Sequence, residues 1–277
     1  MKVALPLLIN VRVKPGGNYM NYWEERMAKS QNILTSKNIK QVEKQINKYY
    51  ISAAEQLVRD FEATYDKLLA TIEDGKEPTP ADLYKLDKYW ELQGQIKDKL
   101  NKMGKKQEDF FSNAFQLEFN QIYKSIDIPD RQTFNTLQAE NVKQMINQIW
   151  VADGFSWSDR VWKNTEKLAE TLNKELINCV ITGKTTSQLK KTLMERFDVS
   201  YHNANTIART EMAHIQSQAA KQRYQDYGIT EVKVLVDEDE RTCPVCGKLE
   251  GQHFPINGQM PVPAHPNCRC CVVPVVD

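Results

Sequence analysis

The sequence is poor in long apolar runs and in net charge. Across its 277 residues, no apolar stretch approaches the roughly 18 residues that a membrane-spanning helix requires. The 37 Lys and Arg residues almost balance the 36 Asp and Glu residues, which leaves a formal net charge of +1. Proteins that coat nucleic acid are usually strongly basic, so this balance argues against that class. We therefore expect no membrane span and at most a weak contact with nucleic acid.

Cysteine is absent from the first 178 residues and concentrated at the end of the chain. A secreted disulfide scaffold would distribute its cysteines through a small chain, whereas this chain is long enough to form a full core. Clustered cysteines with C-x-x-C spacing are instead typical of a metal site. The six cysteines are Cys179, Cys243, Cys246, Cys268, Cys270 and Cys271.

Most of the chain has the periodicity of amphipathic helices. Apolar residues recur every three or four positions from Ile39 to Ile72, which is typical of one face of a long helix. A second helix is predicted to begin with Thr79 as N-cap and Pro80 in its first turn, and Gly104 is expected to end it before a third helix follows. Such helices must pair as a hairpin or bundle, or bind another protein, because none buries its stripe alone.

Shorter helices are predicted after residue 128. We expect helices at residues 136–151, 158–182 and 186–197, and a last one that Ser200 caps and that runs to Tyr227. This pattern divides the chain into an N-terminal extended helical region, residues 1–128, and a second region, residues 129–277.

The character of the sequence changes after Gly228. Alternation and β-branched residues predict a strand at residues 231–236, with residues 253–256 and 271–276 as its partners in a small sheet. Six prolines follow from Pro244 onward, and this density predicts a module without helix. The expected fold is mainly α: a long N-terminal helical hairpin or bundle, then a helical domain that ends in a small α+β zinc-knuckle module at about residues 229–277.

Two short motifs carry the chemistry of a metal site. Cys243-Pro-Val-Cys246 is followed, after 18 residues, by His265-Pro-Asn-Cys268-Arg-Cys270. Zn²⁺ prefers four Cys and His ligands in a tetrahedral arrangement. We predict Cys243, Cys246, His265 and Cys268 as ligands, with Cys270 as an alternative ligand. Four protein ligands would make the zinc structural, so that it stabilises a segment with little apolar core of its own.

No constellation of nucleophile, base and pocket is evident, so we expect no enzyme. A catalytic zinc keeps an open coordination position and a nearby general base, for which Glu250 is a candidate. The zinc-deaminase signature requires H-x-E, whereas His214 is followed by Ile215 and Gln216.

Arg209 and Glu211 form an Arg-Thr-Glu motif inside the predicted last helix. Residues two apart on a helix do not face each other, so each must find its own partner. One interpretation is an ordinary surface charge pair. The other is a structural brace between helix and knuckle, formed with Asp239 or Arg241, or with Asp237 beside them.

Several blocks together resemble the Mu F-like phage head morphogenesis family, also called minor head or minor capsid proteins. The blocks hold their order and approximate spacing across residues 150–274, and the final Cys-rich block is the most specific. They are Phe155-Ser-Trp-Ser-Asp-Arg160-Val-Trp162, Ala208-Arg209-Thr210-Glu211, Asp239-Glu-Arg-Thr-Cys243-Pro-Val-Cys246 and Pro263-Ala-His265-Pro-Asn-Cys268-Arg-Cys270.

The resemblance implies that residues 129–277 form a head morphogenesis domain of a structural virion protein. Such proteins associate with the portal inside the phage head, and they assist head assembly and genome packaging or delivery. The implied partners are the portal protein, the major capsid or scaffolding protein and, weakly, packaged DNA. The implied location is the virion, inside the head near the portal, and the host cytoplasm during assembly. Some relatives carry toxin enzymes downstream, and we expect none here.

Two alternatives remain open from the sequence alone. The first is a zinc-ribbon DNA-binding protein that acts in the host cytoplasm, which predicts a basic face beside the knuckle. The second is a zinc-dependent effector or hydrolase, which predicts an open zinc coordination position.

Overall fold

A computed structural model describes residues 22–72, 78–128, 137–236 and 239–276 of the chain. In this part, seven helices precede or interrupt a three-stranded sheet near the C-terminus. The elements are α1 (Tyr22–Ala70), α2 (Pro80–Leu83), α3 (Asp87–Ser125), α4 (Ala139–Ile146), α5 (Trp157–Ile181), α6 (Thr186–Asp226), β1 (Glu231–Leu235), α7 (Pro244–Leu249), β2 (His253–Pro255) and β3 (Cys271–Pro274).

Helices α1 and α3 form the long antiparallel hairpin that the sequence predicts. Asn38 near the start of α1 donates to Glu118 near the end of α3, and Asp60 pairs with Lys99 at 3.0 Å near the other end. Helices α5 and α6 form a second antiparallel pair, which packs against the first. No described helix combines the length and the hydropathy that crossing a membrane requires.

A continuous hydrophobic core joins the two helical pairs to the sheet. Phe61 of α1, Phe115 of α3, Leu172 of α5, Leu193 of α6 and Val232 of β1 are each at most 1% exposed. The apolar stripe of α1 is therefore buried within the chain, as expected for an intramolecular bundle, and it packs on the chain's own helices instead of on another protein.

Gly104 does not end a helix, contrary to the prediction, because α3 continues past it to Ser125. At this position α5 approaches the backbone of α3 closely. A Cβ on Gly104 would lie 3.0 Å from the Trp162 ring and 3.1 Å from the Thr165 hydroxyl. The glycine is thus a packing residue, and the close approach offsets its low helix propensity.

Ser200 does not cap a helix either, because α6 is continuous from Thr186 to Asp226. Ser200 lies in a buried polar layer to which all four long helices contribute. The Asn164 side chain donates to the Ser200 carbonyl at 3.0 Å and to the Tyr50 hydroxyl at 2.9 Å, and Tyr50 donates to Gln107 at 3.2 Å. Tertiary packing overrides the local capping preference here.

Three other boundaries differ from the prediction. Thr79 forms the expected capping box with Asp82, but the helix that it caps ends after one turn and α3 begins separately at Asp87. The predicted helix at residues 136–151 is reduced to α4, and Thr136 lies outside the described residues. A helix, α7, forms where none was expected, because proline at its first position is compatible with a helical turn.

The sheet has the strand order β2-β1-β3, and both pairings are antiparallel. Leu235 pairs with Cys271 and Val232 with Pro274, so β3 continues directly from the Cys-rich motif. All four residues of β3 are buried, since β3 packs against α1 and α6. The three predicted strands are confirmed.

We predict that Gly104→Leu lowers the free energy of unfolding by about 1–3 kcal/mol, because the new side chain overpacks the contact between α3 and α5. Gly94 is the matched control on the same helix, since a Cβ added there would meet no neighbouring side chain or element within 4 Å. Gly94→Leu should raise stability by about 0.5–1 kcal/mol through helix propensity. Urea denaturation of both variants measures the difference, and equal effects would contradict the packing role.

Glu118 is fully buried, and it accepts hydrogen bonds from Thr35 at 2.5 Å and from Asn38 at 2.6 Å. Burial raises the pKa of Glu118, so the folded state binds its proton more tightly than the unfolded state does. Its contribution to stability is therefore fully present below the pKa of the unfolded state, and it is lost as pH rises through the pKa of the folded state.

We predict that Glu118→Gln becomes more stable relative to the natural chain as pH rises from about 4.5 to 7, by on the order of 1 kcal/mol. The exposed Glu62→Gln, on α1, serves as the control and should leave the pH profile unchanged. The measurement is the free energy of unfolding across this range. If the Gln variant had the natural pH profile, folding would not change the pKa of the buried carboxyl.

Candidate metal centre

The first motif is positioned by α7. Cys243 is the N-cap residue of this helix, and its Sγ accepts from the Cys246 amide at 3.3 Å. Pro244 occupies the first helical position, where its missing N–H is not needed. Cys246 therefore follows one turn later, and both side chains point to the same side of the turn.

The second motif forms the turn before β3. The Cys268 amide donates to the His265 carbonyl at 3.2 Å, and Asn267 between them has a positive φ of 60°. Asn tolerates this left-handed conformation better than most residues do. The turn directs His265 and Cys268 towards α7.

The side chains of the two motifs meet in one cluster. His265 Nε2 lies 3.2 Å from Cys243 Sγ and 3.0 Å from Cys246 Sγ, and Cys246 Sγ lies 3.7 Å from Cys268 Sγ. Ligands around a tetrahedral zinc are about 3.5–3.8 Å apart, given its usual bond lengths. The contact between Cys246 and Cys268 has this spacing, and the two His265 contacts are shorter than it.

Five ligand atoms fall into two overlapping groups that share Cys246. One group contains Cys243, Cys246 and His265, and the other contains Cys246, Cys268 and Cys270. Within each group the atoms lie within 4.8 Å of one another. Either group could hold a metal ion, and Cys246 links the predicted ligands Cys243 and His265 to the predicted ligand Cys268 and the alternative Cys270.

The pKa values of the four thiols shift in opposite directions. The Cys246 amide lowers the pKa of Cys243, and the hydrogen bond from Cys270 lowers the pKa of Cys268 to about 5. Burial raises the pKa of Cys246 to about 12, and the adjacent Cys268 raises the pKa of Cys270. Closely spaced thiols cannot all ionise unless a cation neutralises them, so this donor set fits a cation.

His265 is oriented by a neighbouring carbonyl. Its Nδ1 lies 2.8 Å from the Pro266 oxygen, which accepts the Nδ1–H and raises the pKa of the imidazole. This arrangement leaves Nε2 to face the thiols, as is usual for a histidine that binds a metal.

The cleft beside the cluster is small. Its volume is about 30 Å³, and Arg241, Thr242 and Asn267 contribute to its lining. Such a cleft holds about one water molecule, far less than the several hundred Å³ of a typical substrate pocket. Glu250, the candidate base, accepts from the Val236 amide at 2.6 Å and does not line the cleft. The geometry suits an ion and not a substrate.

Arg209 and Asp239 have partners other than each other. Arg209 pairs with Glu43 of α1, so it ties α6 to the hairpin and not to the knuckle. Asp239 binds both Arg241 and Arg269, at 3.0 Å and 2.5 Å, within the knuckle itself. Asp237 lies outside the described residues. Arg209 therefore pairs within the helical bundle, whereas Asp239 and Arg241 pair within the knuckle.

Glu211 is buried, and it accepts from the Trp150 indole at 2.9 Å. Arg160 lies 4.0 Å from the carboxylate, and burial raises the pKa of Glu211. His214, one turn along α6, stacks on Trp150 with ring centroids 4.2 Å apart. Burial lowers the pKa of His214 to about 3, so this histidine is neutral. No local pattern indicated the Trp150 contact, because it joins segments 61 residues apart.

Thr210, between the two charged residues, makes a contact to the knuckle that was not predicted. The Asn267 amide donates to its hydroxyl at 3.1 Å, and the hydroxyl donates to the Thr206 carbonyl at 2.7 Å. A neutral hydroxyl thus connects α6 to the turn that carries His265.

We predict that Cys246→Ser abolishes stoichiometric zinc binding, because Cys246 belongs to both groups of ligand atoms. Cys268→Ser should also release zinc, whereas Cys270→Ser should retain one ion per chain. The number of zinc ions per chain in each variant, measured by elemental mass spectrometry after dialysis, distinguishes these outcomes. Retention by Cys268→Ser with loss by Cys270→Ser would make Cys270 the ligand instead.

Comparison with curated proteins finds a relative in Enterococcus faecalis. The chain is 26% identical over 142 residues to the NAD(+)--arginine ADP-ribosyltransferase EFV of Enterococcus faecalis. The alignment covers 45% of this chain but only 29% of that protein. No solved structure matches the chain.

Comparison with family models identifies the C-terminal part of the chain. The model described as phage Mu protein F like protein matches residues 170–273. The matched segment begins within α5 and includes α6, β1, β2, most of β3 and all five candidate metal ligands. The resemblance to the Mu F-like family is therefore confirmed for residues 170–273.

Proposed function

We propose that this protein is a structural minor capsid protein of a tailed phage. It associates with the portal inside the head, and it assists head assembly and genome packaging or delivery. The observation that carries this proposal is the Mu F-like match over residues 170–273. The proposed partners are the portal protein and the major capsid or scaffolding protein, and the proposed location is the virion, after assembly in the host cytoplasm.

We also propose that the knuckle holds one structural Zn²⁺ through Cys243, Cys246, His265 and Cys268. The ion would cross-link α7 to the turn before β3 and supply folding energy, without acting on a substrate. The residues themselves hold the two segments near each other through the contacts of His265 Nε2 with both thiols of α7. The small cleft and the hydrogen-bonded Glu250 carboxylate support this structural role.

The distribution of charge supports a weak contact with packaged DNA at most. Helix α3 carries a basic cluster of Lys97, Lys99, Lys102, Lys105 and Lys106. It is partly neutralised, because Lys99 pairs with Asp60 and Lys105 pairs with Glu108 and Asp109. Paired lysines release few counterions from DNA and so add little to its binding. Beside the knuckle, where a zinc-ribbon DNA-binding protein would have a basic face, Arg241 and Arg269 both pair with Asp239, which favours the capsid role.

We do not propose for this chain the transferase activity in the name of the Enterococcus faecalis relative. The alignment leaves most of that protein unmatched, so its activity can reside outside the shared part. A likeness at 26% identity over so small a share supports common ancestry of one region only. We therefore propose no enzymatic activity.

The test is quantitative mass spectrometry of heads purified from the phage that encodes the chain. We expect a low, fixed ratio of this protein to the portal protein in complete heads. Particles assembled without the portal serve as the control, and they should lose this protein while keeping the major capsid protein. Heads that have released their DNA separate the roles: retention supports assembly, and loss supports delivery.

Two outcomes would overturn the proposal. Absence from every particle, together with salt-sensitive binding of the purified protein to duplex DNA, would establish the DNA-binding alternative. Presence in equal amounts in particles with and without the portal would exclude the portal as a partner.

A further inference from the structure

We propose that metal loading of the knuckle controls the docking of the start of α1, residues 26–35, on the sheet. An ion at the Cys-rich motif fixes β3, and β3 holds the first described turns of the hairpin through Tyr224. Metal loading would then decide whether this end of the hairpin is docked or free to contact a partner. The inference rests on the zinc site proposed above.

The first step is the direct connection between the motif and β3. Cys270 is the residue before β3, so the turn that carries His265 and Cys268 sets where β3 begins. The register with β1 then follows, from Leu235 opposite Cys271 to Val232 opposite Pro274. A strand of four residues has few ladder bonds of its own, so its position depends on what fixes its ends.

The second step is a relay of hydrogen bonds through Tyr224. The Tyr224 hydroxyl, at the end of α6, donates to the Val272 carbonyl of β3 at 3.2 Å. The same oxygen accepts from the Gln31 side chain of α1 at 2.9 Å. Tyr224 is fully buried, and a single hydroxyl therefore joins three elements that are distant in sequence.

The third step is a small apolar contact that is separate from the main core. Ala28 of α1 packs with Leu235, Cys271 and Val273 in a cluster of four residues. Met27 belongs to the main core, to which α1 from Val42 onward contributes a long series of side chains. Displacement of β3 would thus remove the apolar contact of Ala28 and leave α1 from Val42 onward packed.

The start of α1 also carries a buried polar atom that favours release. Gln31 Oε1 has no hydrogen-bond partner in the part of the chain that the structure describes. Burial of an unpaired amide oxygen is unfavourable, and water would satisfy it once this end of α1 separates from the sheet. Thr35 also donates to Glu118, and Asn32 accepts from Gln216, so β3 provides only part of the contacts that hold the docked state.

The experiment is hydrogen–deuterium exchange of the full chain, with bound zinc and after removal of zinc by a chelator. We expect amides of residues 26–35 to exchange at least tenfold faster without zinc. Peptides from residues 50–60 of α1 and 105–115 of α3 serve as internal controls, since they lie in the main core. Their exchange should not depend on zinc.

The diagnostic variant is Tyr224→Phe, which keeps the buried ring and removes both hydrogen bonds. It should retain one zinc per chain, while residues 26–35 exchange rapidly whether or not zinc is bound. Tyr227→Phe is the matched control at the end of the same helix, because the Tyr227 hydroxyl contacts Asp127 and Arg223 and is not part of the relay. This control should keep the natural dependence on zinc.

The outcomes separate the docking proposal from the zinc proposal. Stoichiometric zinc with equal protection of residues 26–35 in both metal states would overturn the docking proposal and leave the zinc site intact. A chain that binds no zinc would overturn both. Normal zinc-dependent protection in Tyr224→Phe would show that the hydroxyl relay is not the connection.

Discussion

Helix α1 cannot keep its apolar stripe out of water alone, and the rest of the described structure is arranged around the burial of that stripe. The helix contacts α3 along its length, α6 across the bundle and β3 at its start. Phe61 and Leu57, in the middle of the stripe, are almost completely inaccessible. Burial of this single surface joins the N-terminal hairpin to the Mu F-like segment in one core, so neither part is an independent layer.

Buried polar groups give this apolar core a defined register. The layer of Tyr50, Gln107 and Asn164 permits its hydrogen bonds only when the four long helices are aligned at one height. Glu118 acts similarly between α1 and α3, since Thr35 and Asn38 must reach its carboxylate. An apolar stripe alone tolerates sliding by a helical turn. The same shift would break the hydrogen bonds of buried polar groups, which is costly in free energy.

The candidate metal centre lies where this bundle meets the sheet, and its neighbours explain how a small module remains attached. The knuckle has little apolar core of its own, and α6 holds it at two points. Thr210 holds the turn at Asn267, and Tyr224 holds β3 at Val272. A structural ion would complete the module locally, while these two contacts from α6 connect it to the helices. The proposed capsid role needs no catalytic pocket.

Local patterns in the chain were enough to define the helical hairpin, the three strands and the set of candidate metal ligands, because periodicity, β-branched alternation and ligand spacing are properties of short segments. They were not enough to show that α3 and α6 are continuous. Gly104 and Ser200 are local signals for helix ends, and only the close approach of α5 and the polar layer override them. The partners of Arg209 and Glu211 likewise depend on tertiary packing, since Glu43 and Trp150 are distant in the chain and become adjacent only when the helices pack.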